Sequence, residues 1–247
     1  MEILGALLAG SFIGAVLGFV GAGGAMLSVP ILMYGFGFDP KLATTAALAV
    51  VFLASLSGVI PKARAKQVLY RDAFAISGIG LITNFGFASI ADRIPDFVIT
   101  SGFAGVLLLA GWTMLRPLRL EEYKRMPIWV LIVMSLLIGS MTGLFGIGGG
   151  FLAIPVLVLF FGTPQAVAAG TSLLIIALNS LISFFGHRMY WGDVQWHIPI
   201  FIAGGAIVVA QLASRFSSKT SPVVLREAFA YLLFAVSLFT LAKTWIA

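Results

Sequence analysis

Gly143-Leu144-Phe145-Gly146-Ile147-Gly148-Gly149-Gly150, followed by Phe151-Leu152-Ala153-Ile154-Pro155, is the stretch whose reading decides the fold. Five of its first eight residues are glycine, and apolar residues run on both sides of it. Glycine costs a helix about 1 kcal/mol relative to alanine, so this density marks a break in an otherwise helical run. A milder copy stands earlier: Gly18-Phe19-Val20-Gly21-Ala22-Gly23-Gly24, then Met26-Leu27-Ser28-Val29-Pro30. At an offset of 125 residues, nine of the twenty positions from Ile13 to Leu32 are identical to their counterparts from Ile138 to Leu157. The register continues through Phe36-Gly37 on Phe161-Gly162 and Ser55-Leu56 on Ser180-Leu181. The chain is therefore two repeated halves, each built around a glycine break.

The surroundings are membrane. Of 247 residues, 60% are hydrophobic and only 10% charged, with mean hydropathy +1.09. A soluble domain has about 45–50% apolar and about 25% charged residues. No stretch is long and polar enough for a soluble domain. The chain has no cysteine, which excludes disulfides and thiolate chemistry. Its formal charge of +6 sits in short loops between apolar runs, where it sets orientation in the bilayer and not contact with nucleic acid. The first segment lacks the basic start of a signal peptide and is expected to stay in the fold.

Apolar runs near 3–36, 41–60, 72–91, 97–115, 128–161, 165–186, 196–214 and 223–246 are candidate spans. A crossing takes about 20 residues. The first and fifth runs exceed 30 residues, too long for one crossing and short for two, so each is expected to be two shorter helices meeting at its glycines. The fold class is thus an all-α integral membrane protein. Each half has a glycine-broken or re-entrant first segment followed by three spanning helices. Residues 1–115 form the first transmembrane repeat, 116–127 a basic cytoplasmic linker, and 128–247 the second repeat. Loop charge suggests that the halves are inverted. The segment 62–71 holds Lys62, Arg64, Lys66 and Arg71, while its counterpart near 188 holds only Arg188. The segment 92–96 holds only Arg93, while its counterpart holds Arg215, Lys219 and Arg226. Reciprocal loop charge is what inverted halves require under the positive-inside rule.

A helix that stops inside the bilayer leaves unpaired N–H groups, and its N-terminal end attracts anions. Backbone amides at Gly21, Gly23, Gly24, Gly146, Gly148, Gly149 and Gly150 are the expected substrate contacts, on either side of a central site near the midplane. Ser28, Thr44, Thr45, Thr171 and Ser172 supply candidate hydroxyls, and Asn179 lies two turns beyond Thr171 on about the same face. Each has a plainer reading. Glycines also let helices pack closely, hydroxyls bond back to their own helix, and an asparagine can tie two helices together. The nine acidic residues all fall in loops or at span ends, which disfavours a cation carrier and favours an anion. The glycine run has no preceding strand and no Walker lysine, and two histidines without buried acids make no metal site. No enzyme, cofactor or metal is expected.

The paired glycine segments, with Ala169-Gly170-Thr171-Ser172-Leu173 and Gly192-Asp193-Val194, resemble the sulfite exporter TauE/SafE family, also called the toluene-sulfonate uptake permeases. The resemblance covers essentially the whole chain. It implies a multi-pass transporter in a bacterial cell (inner) membrane, moving sulfite, a sulfonate or a similar small sulfur-containing anion by alternating access. It carries over to the glycine motifs and to Thr171-Ser172. The first half departs from it, with Ala46-Ala47 where the second has Thr171-Ser172. An anion channel and a non-transporting membrane scaffold or assembly protein are the alternatives. The expected partners are a small anionic substrate and the lipid bilayer, with no nucleic acid. The sequence leaves direction, coupling ion and homo-oligomerisation open.

Overall fold

A computed structural model describes residues 2–22, 24–90, 94–115, 128–145, 153–154, 156–160, 162–217 and 221–245. All regular structure among them is helical. In chain order the helices are α1 (Glu2–Val20), α2 (Gly24–Pro30), α3 (Pro40–Arg64), α4 (Tyr70–Ile90), α5 (Asp96–Leu115), α6 (Ile128–Phe145), α7 (Gln165–Gly186), α8 (His197–Phe216) and α9 (Pro222–Trp245). Single π-helical turns follow at Ile31–Gly35 and Val156–Phe160. Among the described residues, α1, α3, α7 and α8 are long and apolar enough to cross a membrane. Large apolar side chains such as Leu8, Phe12, Ile82, Leu109, Trp129 and Leu238 stand exposed on the outside. A soluble protein rarely exposes that much apolar surface. The chain is a multi-pass membrane protein.

Backbone events recur at the same offset of 125. The two π turns are 125 residues apart. The first follows Pro30, which has no N–H to give to the helical ladder and so favours the wider turn. Both segments close alike: Gly37 and Gly162 take positive φ (+72° and +58°). Phe38 N–H then reaches back to the Leu32 carbonyl at 3.1 Å, and Thr163 N–H to the Leu157 carbonyl at 3.0 Å. Only glycine enters that region without a steric cost.

Small residues bring the helices together. Gly10, Gly14 and Gly18, one per turn along α1, face the backbone of Ile202, Ala206 and Ala210 on α8. Gly80 on α4 and Gly139 on α6 face one another, with Thr83 Oγ1 donating to the Leu136 carbonyl at 2.8 Å. No side chain fits at these crossings, where van der Waals contact replaces the hydrophobic drive that lipid cannot supply. The plainer reading of membrane glycines therefore holds for this set. α3 and α7 form the centre. Gly58 lies against Leu173 and Gly170 against Lys62, so the two run antiparallel. α5 and α9 do likewise, with Ser237 Oγ donating to Ala104 O at 2.8 Å and Trp245 Nε1 to Ser101 Oγ at 3.1 Å. α1 and α3 run beside α8 in its direction, and α4 runs with α6 and α7.

The first broken segment differs from the expected pair of short helices. α1 has 19 residues, a full crossing, and ends at Val20. Gly21 has φ +79° and gives its N–H to the Leu17 carbonyl at 2.8 Å, a left-handed helix cap. α2 then folds back, with Gly24 pressed on Leu17 and the Ile13 carbonyl.

Candidate functional site

The first turn does not sit at mid-depth. Gly21 packs on Ala169, the fifth residue of α7, about 6 Å along that helix from its start at 1.5 Å per residue. A complete crossing in α1 carries the turn to one end of the bundle. The turn meets the Ala169-Gly170-Thr171-Ser172 stretch of the other half. Gly23, Gly146, Gly148, Gly149 and Gly150 lie outside the described residues.

Most of the expected hydroxyls serve the backbone. Ser28 Oγ donates to Gly24 O at 2.9 Å, Thr44 Oγ1 to Pro40 O at 2.9 Å, and Thr45 Oγ1 to Lys41 O at 2.8 Å. Each is the back-bond to residue i−4 that relieves a hydroxyl in an apolar helix. Thr171 Oγ1 donates to Val167 O at 2.7 Å and accepts from Leu69 N–H at 3.0 Å, so it pins the α3–α4 connection to α7. Ser172 is fully buried on the same turn.

Asn179 is different. It is 1% exposed, and neither end of its side-chain carboxamide has a hydrogen-bond partner. The Ser180 hydroxyl beside it is buried and equally unpartnered. The surroundings are polar: Asn84 Nδ2 donates to the Asn179 backbone carbonyl at 3.4 Å, and Ser183 Oγ donates to Asn84 Oδ1 at 2.7 Å. An unmet buried polar group costs about 1–3 kcal/mol. Donors and acceptors left open at this cost, in a central helix, make Asn179 the candidate contact for a polar ligand. Asn84 and Ser183 complete the group. Ser183 was findable in sequence as the next helical turn after Asn179, while the Asn84 contact depends on how α4 packs.

A small, partly open cleft of about 50 Å³ lies at the opposite end of the bundle from Gly21. Thr44, Thr100, Thr240, Tyr34 and Leu144 are among its lining. Leu144 lies in the last turn of α6. The Thr240 hydroxyl is buried without a partner. Of the expected site residues, Thr44 reaches this cleft, Gly21 meets the Thr171 stretch, and Asn179 joins the asparagine group.

Lys62 is where sequence reading goes astray. It counts there as a loop charge, but α3 runs on to Arg64 and buries it to 2% exposure. Its Nζ donates to Ser217 Oγ at 2.6 Å. Among the described residues it is the one buried charge.

Comparison with known proteins finds relatives named as probable membrane transporters. A probable membrane transporter protein of Xylella fastidiosa (strain 9a5c) is 29% identical, over 96% of this chain and 94% of its own. The probable membrane transporter protein MJ0441 of Methanocaldococcus jannaschii is 26% identical, over 95% and 94%. The probable membrane transporter protein YunE of Bacillus subtilis is 27% identical, over 85% and 86%. The family described as sulfite exporter TauE/SafE matches residues 6–240. With the match running from the first crossing to the last, this chain belongs to the sulfite exporter TauE/SafE family of membrane transporters.

Proposed function

We propose that this transporter carries a small sulfur-containing anion, sulfite or a sulfonate, across the cell (inner) membrane by alternating access. The observation that carries the proposal is the Asn179 carboxamide, buried near mid-helix with both ends unpartnered. Amide and hydroxyl donors from Asn179 and Ser180, with no carboxylate among the buried side chains described, suit an oxyanion and would repel no part of it. The family description supplies the sulfur oxyanion. The site is placed beside α4 and α7, with the Thr44–Thr240 cleft as its approach from one side and the Gly21 turn near the other.

The two halves act as inverted repeats in this reading. Helices α3 and α7 are register counterparts that run antiparallel, and so are α5 and α9. Each half's first helix packs chiefly on the other half's later helix, α1 on α8 and α6 on α4. Exchanging the halves maps each of these pairs onto the other. Two nearly equivalent packings of one bundle are what alternating access needs.

The test is uptake of labelled sulfite into proteoliposomes, with unlabelled sulfite, ethanesulfonate, thiosulfate, sulfate and acetate as competitors. Saturable uptake, inhibited by sulfite or ethanesulfonate and not by acetate, is expected. Flux that follows voltage without saturating indicates a channel. No flux of any sulfur anion removes the substrate class.

A further inference from the structure

Lys62 stands out against its neighbours. Arg64 and Lys66 are exposed, as basic residues at a span end should be. A lysine two residues from the end of α3 can extend its stem to the interface and keep its charge in water. Lys62 turns inward instead and is 2% exposed. Of the three protons on its ammonium, one goes to Ser217 Oγ at 2.6 Å. That hydroxyl donates in turn to the Ser214 carbonyl at 3.1 Å. Among the described residues no carboxylate pairs with the ammonium and no acceptor is recorded for its other two protons. A buried charge without a counter-charge is expensive, and inside a membrane protein it marks a functional position.

Its location gives the charge a use. The Lys62 side chain lies against Gly170, one residue from Thr171. Ser214, which accepts the hydrogen bond relayed by Ser217, also reaches the Gly18 carbonyl, three residues before the Gly21 turn. Lys62 is thus held where the first half's turn meets the second half's Ala169–Ser172 stretch. Its register counterpart is His187, at the end of α7, half-buried and bonded to its own helix at Ser183 O. Among the described residues, the buried cation therefore stands at the Gly21 end of the bundle.

We propose that Lys62 is an anion-binding residue at the Gly21 end of the pathway, its two open N–H groups taking the oxygens of a small singly charged oxyanion. The proposal rests on the anion-transport reading above. A single ammonium balances one negative charge, so a monoanion such as a sulfonate or bisulfite is favoured over a dianion such as sulfate.

The test measures thermal unfolding in detergent free of anionic lipid, with titrations of sulfite, ethanesulfonate, sulfate and, separately, phosphatidylglycerol. Wild type, Lys62→Met and Ser217→Asp are compared. Wild type is expected to be stabilised by sulfite and ethanesulfonate at lower concentrations than by sulfate. Lys62→Met should raise the sulfite and ethanesulfonate midpoints by roughly tenfold or more, the loss of a charge-assisted contact. Ser217→Asp covers the case in which Lys62→Met does not fold. It places a carboxylate beside the ammonium, so a purely structural lysine gains stability, whereas an anion-binding lysine also loses the response. Unchanged midpoints in a folded Lys62→Met or in Ser217→Asp overturn the proposal while leaving the transport reading intact. A phosphatidylglycerol response that Lys62→Met abolishes, with the sulfite and ethanesulfonate midpoints left unchanged, overturns it in favour of a lipid contact. No response of wild type to any sulfur anion overturns both.

Discussion

Helices α3 and α7 occupy matching places in the two halves and run in opposite directions, yet their chemistry is not shared. Where α7 has Thr171, Ser172, Asn179 and Ser183, α3 has Ala46, Ala47, Ala54 and Gly58. Where α3 has Thr44, Thr45 and Lys62, α7 has Ala169, Gly170 and His187. The one hydroxyl they keep in common behaves differently: Ser55 Oγ is bonded to Val51 O at 2.6 Å, whereas Ser180 Oγ has no partner. What recurs at the offset of 125 is what the backbone needs, namely the π turns, the closing glycines and the close crossings. The polar groups that could touch a substrate diverged. An alternating-access device can rock symmetrically while its binding groups stay one-sided, because the motion depends on packing and the binding on particular side chains.

The largest effect is expected where the halves agree. Gly14 and Gly139 are register counterparts, each pressed on the backbone of a partner helix. Gly14→Leu and Gly139→Leu should each cost about 3 kcal/mol or more by overpacking a crossing that cannot open. The readout is the yield of monodisperse protein and its unfolding temperature in detergent. If one substitution is tolerated and the other is not, the two crossings are not equivalent and the structural half of the comparison breaks.

Asn179→Leu tests the divergent half. Leucine has a similar volume and removes two unmet polar ends, each worth about 1–3 kcal/mol of penalty. The unfolding temperature should hold or rise while sulfite flux falls by roughly tenfold or more, the loss of a hydrogen bond to a charged group. A fall in stability with flux retained would mean that Asn179 only ties α7 to its neighbours. The equivalent change on α3, Ala54→Leu, fills a fully buried alanine site and should act through stability instead.

Thr240→Val sharpens the position of the approach cleft. The side chains are nearly the same size, and the unpartnered Thr240 hydroxyl bonds nothing in the fold. Removing it should change stability by less than about 1 kcal/mol. Half-saturating sulfite should rise a few-fold when the anion enters from that side, and uptake from the opposite side at saturation should not change.

Sequence and structure part company in a pattern set by the same division. The offset of 125 was readable because glycine and proline act on their own backbone, and Gly37, Gly162 and Pro30 do so through local torsions and missing donors. The membrane class was readable from composition. Three things were not. Lys62 looked like a loop residue because nothing local shows that α3 continues past Pro61 to Arg64. The break looked like a mid-depth feature because the length of α1 relative to its neighbours is set by tertiary packing. The tie from Thr171 to the α3–α4 connection was out of reach because its bond to Leu69 N–H spans 102 positions of sequence. Asn179 was singled out as either helix glue or a substrate contact. Its backbone carbonyl serves the first role, through Asn84, and its side chain is open to the second.

The smallest effect separates the one hydroxyl that the two central helices share. Ser55 is bonded to its own helix at two carbonyls, 2.6 Å to Val51 O and 3.1 Å to Phe52 O. Ser55→Ala removes the donor and leaves only a small void, and the two carbonyls stay within the helical ladder, to which an i−4 back-bond adds little. A change within about 0.5 kcal/mol and unchanged flux are expected. Ser180→Ala removes a buried hydroxyl that bonds nothing in the protein. Stability should rise slightly, because an unmet polar group is lost. Flux should fall by a few-fold, less than for Asn179→Leu because one donor is lost in place of a carboxamide. Equal behaviour of the two alanine variants in flux would mean that α7 is no more polar in function than α3, and the anion site would then belong to the glycine turns and not to the asparagine group.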